Sequence, residues 1–231
     1  MKYITSNPAL LFISSFFLVI LLGSLLLMLP QATQHGSNYI DALFISTSAV
    51  CVTGLSTVDT SSFYTPFGQV IIMCLIQIGG LGILTFISYF SYFFKGSASY
   101  KSQEMMGQMS NVEKLPDVYR TLRNILIVTF SIETFGAILI YFSIEESAVP
   151  SLYDRIFFSF FHAISGFCNA GFSLMKNGLY EQPFRFNYCF QLSIALMIIL
   201  GGIGFPIIFN IRKYIVNKTG YFFRRLFKQK E

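Results

Sequence analysis

Long segments without a single charged residue constrain this chain more than any other feature. No Asp, Glu, Lys or Arg occurs at 3–40, at 60–94 or at 186–211, and these segments are rich in Phe, Leu and Ile. Each is longer than the roughly 20 residues with which an α-helix crosses the hydrocarbon layer of a bilayer. A soluble domain would not bury so much continuous apolar sequence, so the sequence predicts an integral membrane protein.

The apolar pattern predicts four long helices separated by loops and two short helices. The long helices are expected at roughly 8–30, 66–94, 120–143 and 186–212. The short helices are expected at 38–50 and 153–167, and both are too short to cross a membrane. Each short helix is followed by an uncharged loop that centres on a glycine.

The two glycine loops match each other. "SAVCVTGLST" (48–57) and "SGFCNAGFSL" (165–174) share a serine, a cysteine, the glycine and a second serine when Gly54 is aligned with Gly171. The match extends to "DALF" and "DRIF" at the start of the short helices and to "IGGLG" and "GGIG" in the following long helices. The sequence therefore predicts two parallel copies of one unit: long helix, short helix, glycine loop, long helix.

Loops of this kind at membrane depth have a physical explanation. Non-helical backbone is tolerated there only where it is buried in protein or lines a wet cavity. Backbone carbonyls can replace the water shell of a cation such as potassium, and glycine allows positive φ without a steric cost. A packed loop that binds no ion remains an alternative for either loop alone, but two matching loops favour cation binding.

The distribution of charge predicts the orientation of the chain. Thirteen of the 16 Lys and Arg residues lie at Lys2, at 95–123 or at 212–231. These regions fall on one side of the membrane, which the positive-inside rule makes cytoplasmic, together with both termini. The net charge of +5 therefore does not indicate nucleic-acid binding. The other side has more acidic than basic residues, which is compatible with a cation-attracting mouth or with a solvated rim.

Several single residues are candidates for a special role. Glu133 is the only charged residue inside the third long helix, and either an ion path or a hydrogen bond between helices would account for it; the second is favoured. His162 is expected to hydrogen-bond within the loop scaffold. Either close helix packing or helix bending would account for the glycines at 79–82 and 201–204, and packing is favoured. Three methionines at 105, 106 and 109 are compatible with a docking surface or with a helix on the membrane.

Neither a disulfide framework nor an enzyme is indicated. The four cysteines show no metal-binding spacing, and free, buried thiols are expected. The sequence has no Ser/His/Asp or Cys/His set, no HExxH motif and no paired carboxylates within the membrane. It therefore favours a transport protein over a membrane-embedded enzyme.

The loops and the helices after them resemble the membrane subunits of the Trk/Ktr/HKT superfamily of potassium transporters, above all the Ktr type. "TSAVCVTGLSTVDT" with "FGQVIIMCLIQIGGLGILTF" resembles the first pore loop and its following helix. "FFHAISGFCNAGFSL" with "GGIGFPII" resembles the second. The resemblance covers nearly the whole chain.

The resemblance implies an all-α membrane protein with two of the four helix–pore loop–helix repeats that surround a pseudo-fourfold cation pore. The corresponding divisions are a first repeat, a cytoplasmic loop, a second repeat and a basic tail, at 1–94, 95–119, 120–212 and 213–231. The filter carbonyls would come from Val52, Thr53 and Gly54 in the first loop and from Asn169, Ala170 and Gly171 in the second. In the family, glycine at the filter centre accompanies potassium selectivity, and serine at the first centre accompanies sodium transport.

The resemblance also implies partners. Ktr-type proteins take up potassium with the help of sodium, form dimers and dock on a cytoplasmic nucleotide-binding ring. This chain has no GxGxxG or GxxxxGK[ST] motif, so a nucleotide would be bound by the regulatory subunit, and no tightly bound cofactor is expected. A second copy of this chain or another half-chain would complete the pore. The alternative function is that of a non-conducting truncated or assembly subunit.

Overall fold

The structure, a computed structural model, describes residues 8–95, 115–145, 147–204 and 207. The α-helices in these ranges are α1 (Pro8–Leu27), α2 (Tyr39–Val50), α3 (Thr60–Phe63), α4 (Pro66–Lys95), α5 (Leu115–Ser143), α6 (Leu152–Phe167), α7 (Gln182–Arg185) and α8 (Tyr188–Ile203). A 3₁₀ turn lies at Gly178–Tyr180. The described ranges contain no strand, only an isolated antiparallel bridge between Thr33 and Tyr64. The predicted all-helical architecture is confirmed for this part of the chain.

The observed helix ends differ from the predicted ends for local reasons. α1 ends at Leu27, three residues before Pro30, which has no N–H to continue the helix. α5 begins at Leu115, because Pro116 is well tolerated in a first helical turn. α8 ends at Ile203, because Gly204 after it has a positive φ of +80°, so the predicted helix 186–212 is interrupted there. Beyond Gly204 the structure describes only Ile207 of that predicted helix, and residues 205, 206 and 208–212 lie outside the described residues. So do the segments 96–114, with the three methionines, and 213–231.

One segment with described side chains meets both the length and the apolarity expected of a membrane span. It is Arg123–Ser143 in α5, with 21 residues and a mean hydropathy of 2.1. Shorter apolar helical segments occur at Phe12–Leu27, Tyr39–Val50, Pro66–Gly82 and Tyr188–Ile203.

The long and short helices form two groups of three. In the first group α1 and α4 pack on the short helix α2, and in the second group α5 and α8 pack on the short helix α6. The two groups meet where α4 contacts α5 and α6. Ile45 in α2 and Phe161 in α6 are fully buried. Each short helix is therefore enclosed by its own pair of long helices, with its C-terminal loop at the junction.

Two glycines let the long helices touch the ends of the short ones. A side chain at Gly79 of α4 would collide with the carbonyl of Val50, the last residue of α2. A side chain at Gly201 of α8 would collide with the carbonyl of Phe167, the last residue of α6. Because the obstacle is backbone in both cases, only glycine fits without displacing a helix. The predicted role in close packing is confirmed for Gly79 and Gly201, but not for Gly202, which has open space around it.

Gly201→Ala is predicted to destabilise the protein, whereas Gly202→Ala serves as a matched control. A methyl group at Gly202 meets nothing within 4 Å. Overpacking at Gly201 is expected to cost about 1–3 kcal/mol, whereas alanine at Gly202 is expected to be neutral or to stabilise by up to about 1 kcal/mol. Thermal unfolding in detergent, followed by far-UV circular dichroism, measures both. Equal midpoints for the two variants would contradict the close contact.

Candidate functional site

The two glycine loops leave their short helices through the same hydrogen bonds. In the first loop the N–H groups of Cys51, Val52 and Thr53 donate to the carbonyls of Thr47, Ala49 and Ser48 at 2.8, 3.2 and 2.8 Å. In the second loop the N–H groups of Cys168, Asn169 and Ala170 donate to the carbonyls of Ile164, Gly166 and Ser165 at 2.9, 3.1 and 2.8 Å. Every donor and acceptor of the first set has its counterpart 117 residues later. The residues that match in sequence thus also match in backbone geometry.

The backbone then turns left-handed at alternate residues in both loops. The φ angles are +56° at Val52 and +78° at Gly54, and +59° at Asn169 and +75° at Gly171. Asparagine and glycine tolerate this region, whereas a β-branched residue there is an outlier. Such strain costs about 1–3 kcal/mol and persists only where the surrounding structure imposes it. Val52 is therefore the strained point of the first loop.

The structure brings the centres of the two loops into contact. A side chain at Gly54 would collide with the carbonyl oxygen of Ala170 and would lie 3.2 Å from the Cα of Gly171. A side chain at Gly171 would lie 3.6 Å from the Cα of Gly54. The six residues singled out by the sequence therefore belong to two adjacent loops. Thr53 and Asn169 have exposed side chains, and Ala170 is buried.

His162 anchors the second loop to its short helix. Its Nδ1 lies 2.9 Å from the carbonyl of Phe158, and its Nε2 lies 3.1 Å from the hydroxyl of Ser173 and accepts the N–H of Leu174 at 3.4 Å. The ring is 3% exposed and packs against Phe158 at a centroid distance of 4.0 Å. The prediction that His162 bonds within the loop scaffold is confirmed. The corresponding position beneath the first loop is Ile45, which offers no such bond.

A serine adds a second difference between the loops. The Ser165 hydroxyl donates to the carbonyl of Phe172 at 2.7 Å. Its counterpart Ser48 is also buried, yet its hydroxyl has no hydrogen-bond partner among the described residues. The two aligned serines therefore have different roles, and this difference cannot be read from the sequence. The second loop is tied back at both Phe172 and Ser173, and the first loop lacks both ties.

Glu133 lies in α5 and contacts α4. Its side chain is 2% exposed, and its Oε1 accepts the amide Nε2 of Gln77 at 2.9 Å. The favoured interpretation, a hydrogen bond between helices, is confirmed. Sequence reasoning missed Gln77, although an amide in a charge-free apolar helix is the kind of residue that could have identified the partner.

Asp59 follows the first loop and caps the short helix α3. Its carboxylate accepts the N–H of Ser61 at 2.9 Å and the hydroxyls of Ser61 and Ser62. Burial acts to raise the pKa of Asp59, but these hydrogen bonds and the charge of Lys176 outweigh it and lower the pKa below its ordinary value. Asp59 therefore keeps its negative charge beyond the first loop at neutral pH.

The cysteines are free, as expected, but three of them are not buried. Cys168 is buried, whereas Cys51, Cys74 and Cys189 are exposed in the described chain. The expectation of buried thiols was therefore wrong for these three, because they lie on helix faces or loop surface that the rest of the described chain does not cover. No group of three or more His, Cys, Asp or Glu side chains in this part of the chain has the arrangement of a metal site.

The two serines give a matched test of the loop geometry. Ser165→Ala removes the bond to Phe172 and leaves a buried carbonyl without that donor, which is expected to cost about 1–3 kcal/mol. Ser48→Ala removes a buried hydroxyl that has no partner, so stability is expected to be unchanged or slightly higher. Thermal unfolding in detergent compares the two variants. Equal losses of stability would show that the loops are anchored alike.

Comparison with known proteins connects these loops to a family. Residues 3–230 match the TrkH family, described as "Cation transport protein". The chain is 36% identical over 212 residues to the Ktr system potassium uptake protein B of Bacillus subtilis, and the match covers 92% of this chain and 47% of that protein. It is 35% identical over 212 residues to the potassium/sodium uptake protein NtpJ of Enterococcus hirae, covering 90% of this chain and 46% of that protein.

A third relative gives the same proportions. The Ktr system potassium uptake protein D of Bacillus subtilis is 30% identical over 216 residues, which are 92% of this chain and 47% of that protein. The chain thus spans about half the length of the relatives that it matches. All three are named as uptake proteins rather than enzymes, in agreement with the sequence. The family assignment also agrees with the predicted membrane location, and the chain belongs to the TrkH family of cation transport proteins.

Proposed function

We propose that this chain forms part of a potassium-selective uptake pore and that its two glycine loops form part of the selectivity filter. In this proposal the carbonyls of Val52, Thr53 and Gly54, and those of Asn169, Ala170 and Gly171, coordinate dehydrated potassium. The observation that carries the proposal is the shared loop geometry, with the same hydrogen bonds and positive φ at Val52 and Asn169 and at the two glycines.

This geometry suits carbonyl coordination of a cation. In an ordinary extended strand successive carbonyls point to opposite sides, whereas alternation of left-handed and right-handed residues turns them toward the same side. Filters of potassium channels are built from rings of such carbonyls. The contact between Gly54 and the Ala170–Gly171 segment places two loops side by side, as neighbours in such a ring require.

Two loops are half of a fourfold ring, so the proposal includes a second half. The two helix groups are two parallel helix–pore loop–helix units, divided at about 1–94 and 120–212, with the cytoplasmic loop 95–119 between them and a basic tail at 213–231. The other two units come from a second copy of this chain, from another half-chain or from further sequence joined to this one. Relatives of about twice the matched length support this requirement.

The proposed topology follows from the distribution of charge, and the proposed second ion and partner follow from the names of the relatives. The basic segments and both termini lie in the cytoplasm, according to the positive-inside rule, in a chain that crosses the cell membrane several times. A relative named as a potassium/sodium uptake protein supports sodium as an assisting or second ion. The "Ktr system" names of other relatives support a further subunit as a partner, and the family resemblance implies that this subunit is a cytoplasmic nucleotide-binding regulator.

Gly171→Ser is predicted to reduce potassium-over-sodium selectivity. Serine at φ +75° is strained and adds a hydroxyl to the proposed filter wall, although it would lie at an ordinary contact distance from Gly54. Gly178→Ser is the matched control, because Gly178 also has positive φ (+55°) but has open space around it, outside the loops. Cation flux in liposomes that contain the complete assembly measures the selectivity.

The two variants separate a filter effect from general strain. A selectivity reduced by a factor of ten or more in Gly171→Ser and unchanged in Gly178→Ser is expected, because tenfold corresponds to only about 1.4 kcal/mol of differential binding. Gly54→Ser is expected to be more severe, because its side chain would collide with the Ala170 carbonyl. Unchanged selectivity in both filter variants would remove these loops from the filter.

The isolated chain is predicted not to conduct as a monomer. With two loops, half of the carbonyl ring is absent, and each backbone group left unsatisfied in hydrocarbon costs several kcal/mol. The mass of the purified chain in mild detergent, combined with potassium flux in liposomes, tests this. Flux from a confirmed monomer would contradict the half-ring. Lack of flux from a complete four-loop assembly would instead support the alternative, a non-conducting assembly subunit.

A further inference from the structure

Three buried polar oxygens on α4 and α5 have no hydrogen-bond partner among the described residues. Glu133 and Thr129 are buried and lie four residues apart in α5, so they share one helix face. Gln77 in α4 donates its amide to Glu133 Oε1. Within the described part of the chain, Glu133 Oε2, Gln77 Oε1 and Thr129 Oγ1 have no hydrogen-bond partner. A buried side chain that leaves its polar atoms unmatched requires an explanation.

An ionised Glu133 would need a counter-charge that its hydrogen bond to Gln77 does not supply. The side chain that hydrogen-bonds to Glu133 Oε1 is the amide of Gln77, which is neutral. An isolated carboxylate in a low-dielectric interior is costly unless a cation pairs with it. The Thr129 hydroxyl could donate a hydrogen bond to the carboxylate, but it does not do so.

We propose that Glu133, Gln77 and Thr129 bind a monovalent cation of about the size of sodium. Carboxylate, amide and hydroxyl oxygens are the ligands of hard cations, and one such ion would satisfy all three oxygens together. The single carboxylate balances one positive charge, whereas a divalent ion would leave a buried excess charge. A carboxylate has a stronger field than a carbonyl, which favours the smaller alkali cation.

The position of this site connects it to both loops. Gln77 lies two residues before Gly79, which packs on the last carbonyl of α2, and three residues before Gly80, which packs on the side chain of Cys168. A cation that holds α4 against α5 therefore fixes the helix on which both loops rest. An effect of this cation on transport depends on the function proposed above, but its binding does not.

The test compares sodium with a large organic cation. The purified full chain in mild detergent is titrated with sodium chloride that replaces N-methyl-D-glucamine chloride at constant ionic strength, and thermal unfolding is followed by far-UV circular dichroism. Ligand binding to the folded state raises the midpoint in a saturable way. The wild type is expected to show a rise of a few degrees with sodium.

Two variants and a control assign the effect. Glu133→Gln keeps the shape but removes the charge, and Thr129→Val keeps the shape but removes the hydroxyl; both are expected to lose the sodium-dependent rise. Thr134→Val, at an exposed position of the same helix, is expected to keep it. A rise caused by potassium that survives in Glu133→Gln belongs to the loops and reports on the proposed function separately.

Two results would overturn the proposed cation site. A wild type that responds alike to sodium and to N-methyl-D-glucamine would overturn the proposal, because a bound water or a protonated carboxyl would then account for the cluster. A sodium response that is unchanged in Thr129→Val would also overturn it, and this variant decides the matter if Glu133→Gln does not fold.

Discussion

The structure depends on one constraint: backbone that leaves a helix inside a bilayer must satisfy its polar groups within the protein. Each short helix ends in hydrogen bonds that reach back to its own last turn, with Thr53 bonding to Ser48 and Ala170 bonding to Ser165. The long helices then close on these ends through Gly79 and Gly201, where any side chain would collide with a carbonyl. The loops are thereby held at the junction of the two helix groups, where we propose that their remaining carbonyls bind a cation.

The two loops differ in the side-chain hydrogen bonds that anchor them. The second is anchored by His162 to Ser173 and Leu174 and by Ser165 to Phe172. The first has Ile45 in place of the histidine and a serine, Ser48, without a partner, and it carries the strained residue Val52. A filter built from such loops would have one stiffer and one softer side. We infer that the second loop fixes the geometry to which the first adapts, through their contact at Gly54.

The sequence predicted the features that depend on local pattern. Charge-free length predicted the helices, and the spacing of Gly54 and Gly171 predicted two loops with matching backbones. It did not predict that Ser48 and Ser165 act differently, because that depends on where the following backbone comes to lie. Nor did it identify Gln77 as the partner of Glu133, since the two residues are 56 positions apart and only helix packing brings them together. The burial of the cysteines was wrongly predicted, because helix faces that the described part of the chain leaves uncovered have no sequence signature of their own.

The measurement that tests the central claim most directly is the position of a potassium substitute in the assembled protein. A structure of the complete assembly with rubidium or thallium should show the ion by its anomalous scattering. The account predicts a peak at ligand distance from carbonyls of both loops, between Val52–Gly54 and Asn169–Gly171. A peak that contacts neither loop, or no peak in an assembly that conducts potassium, would contradict it.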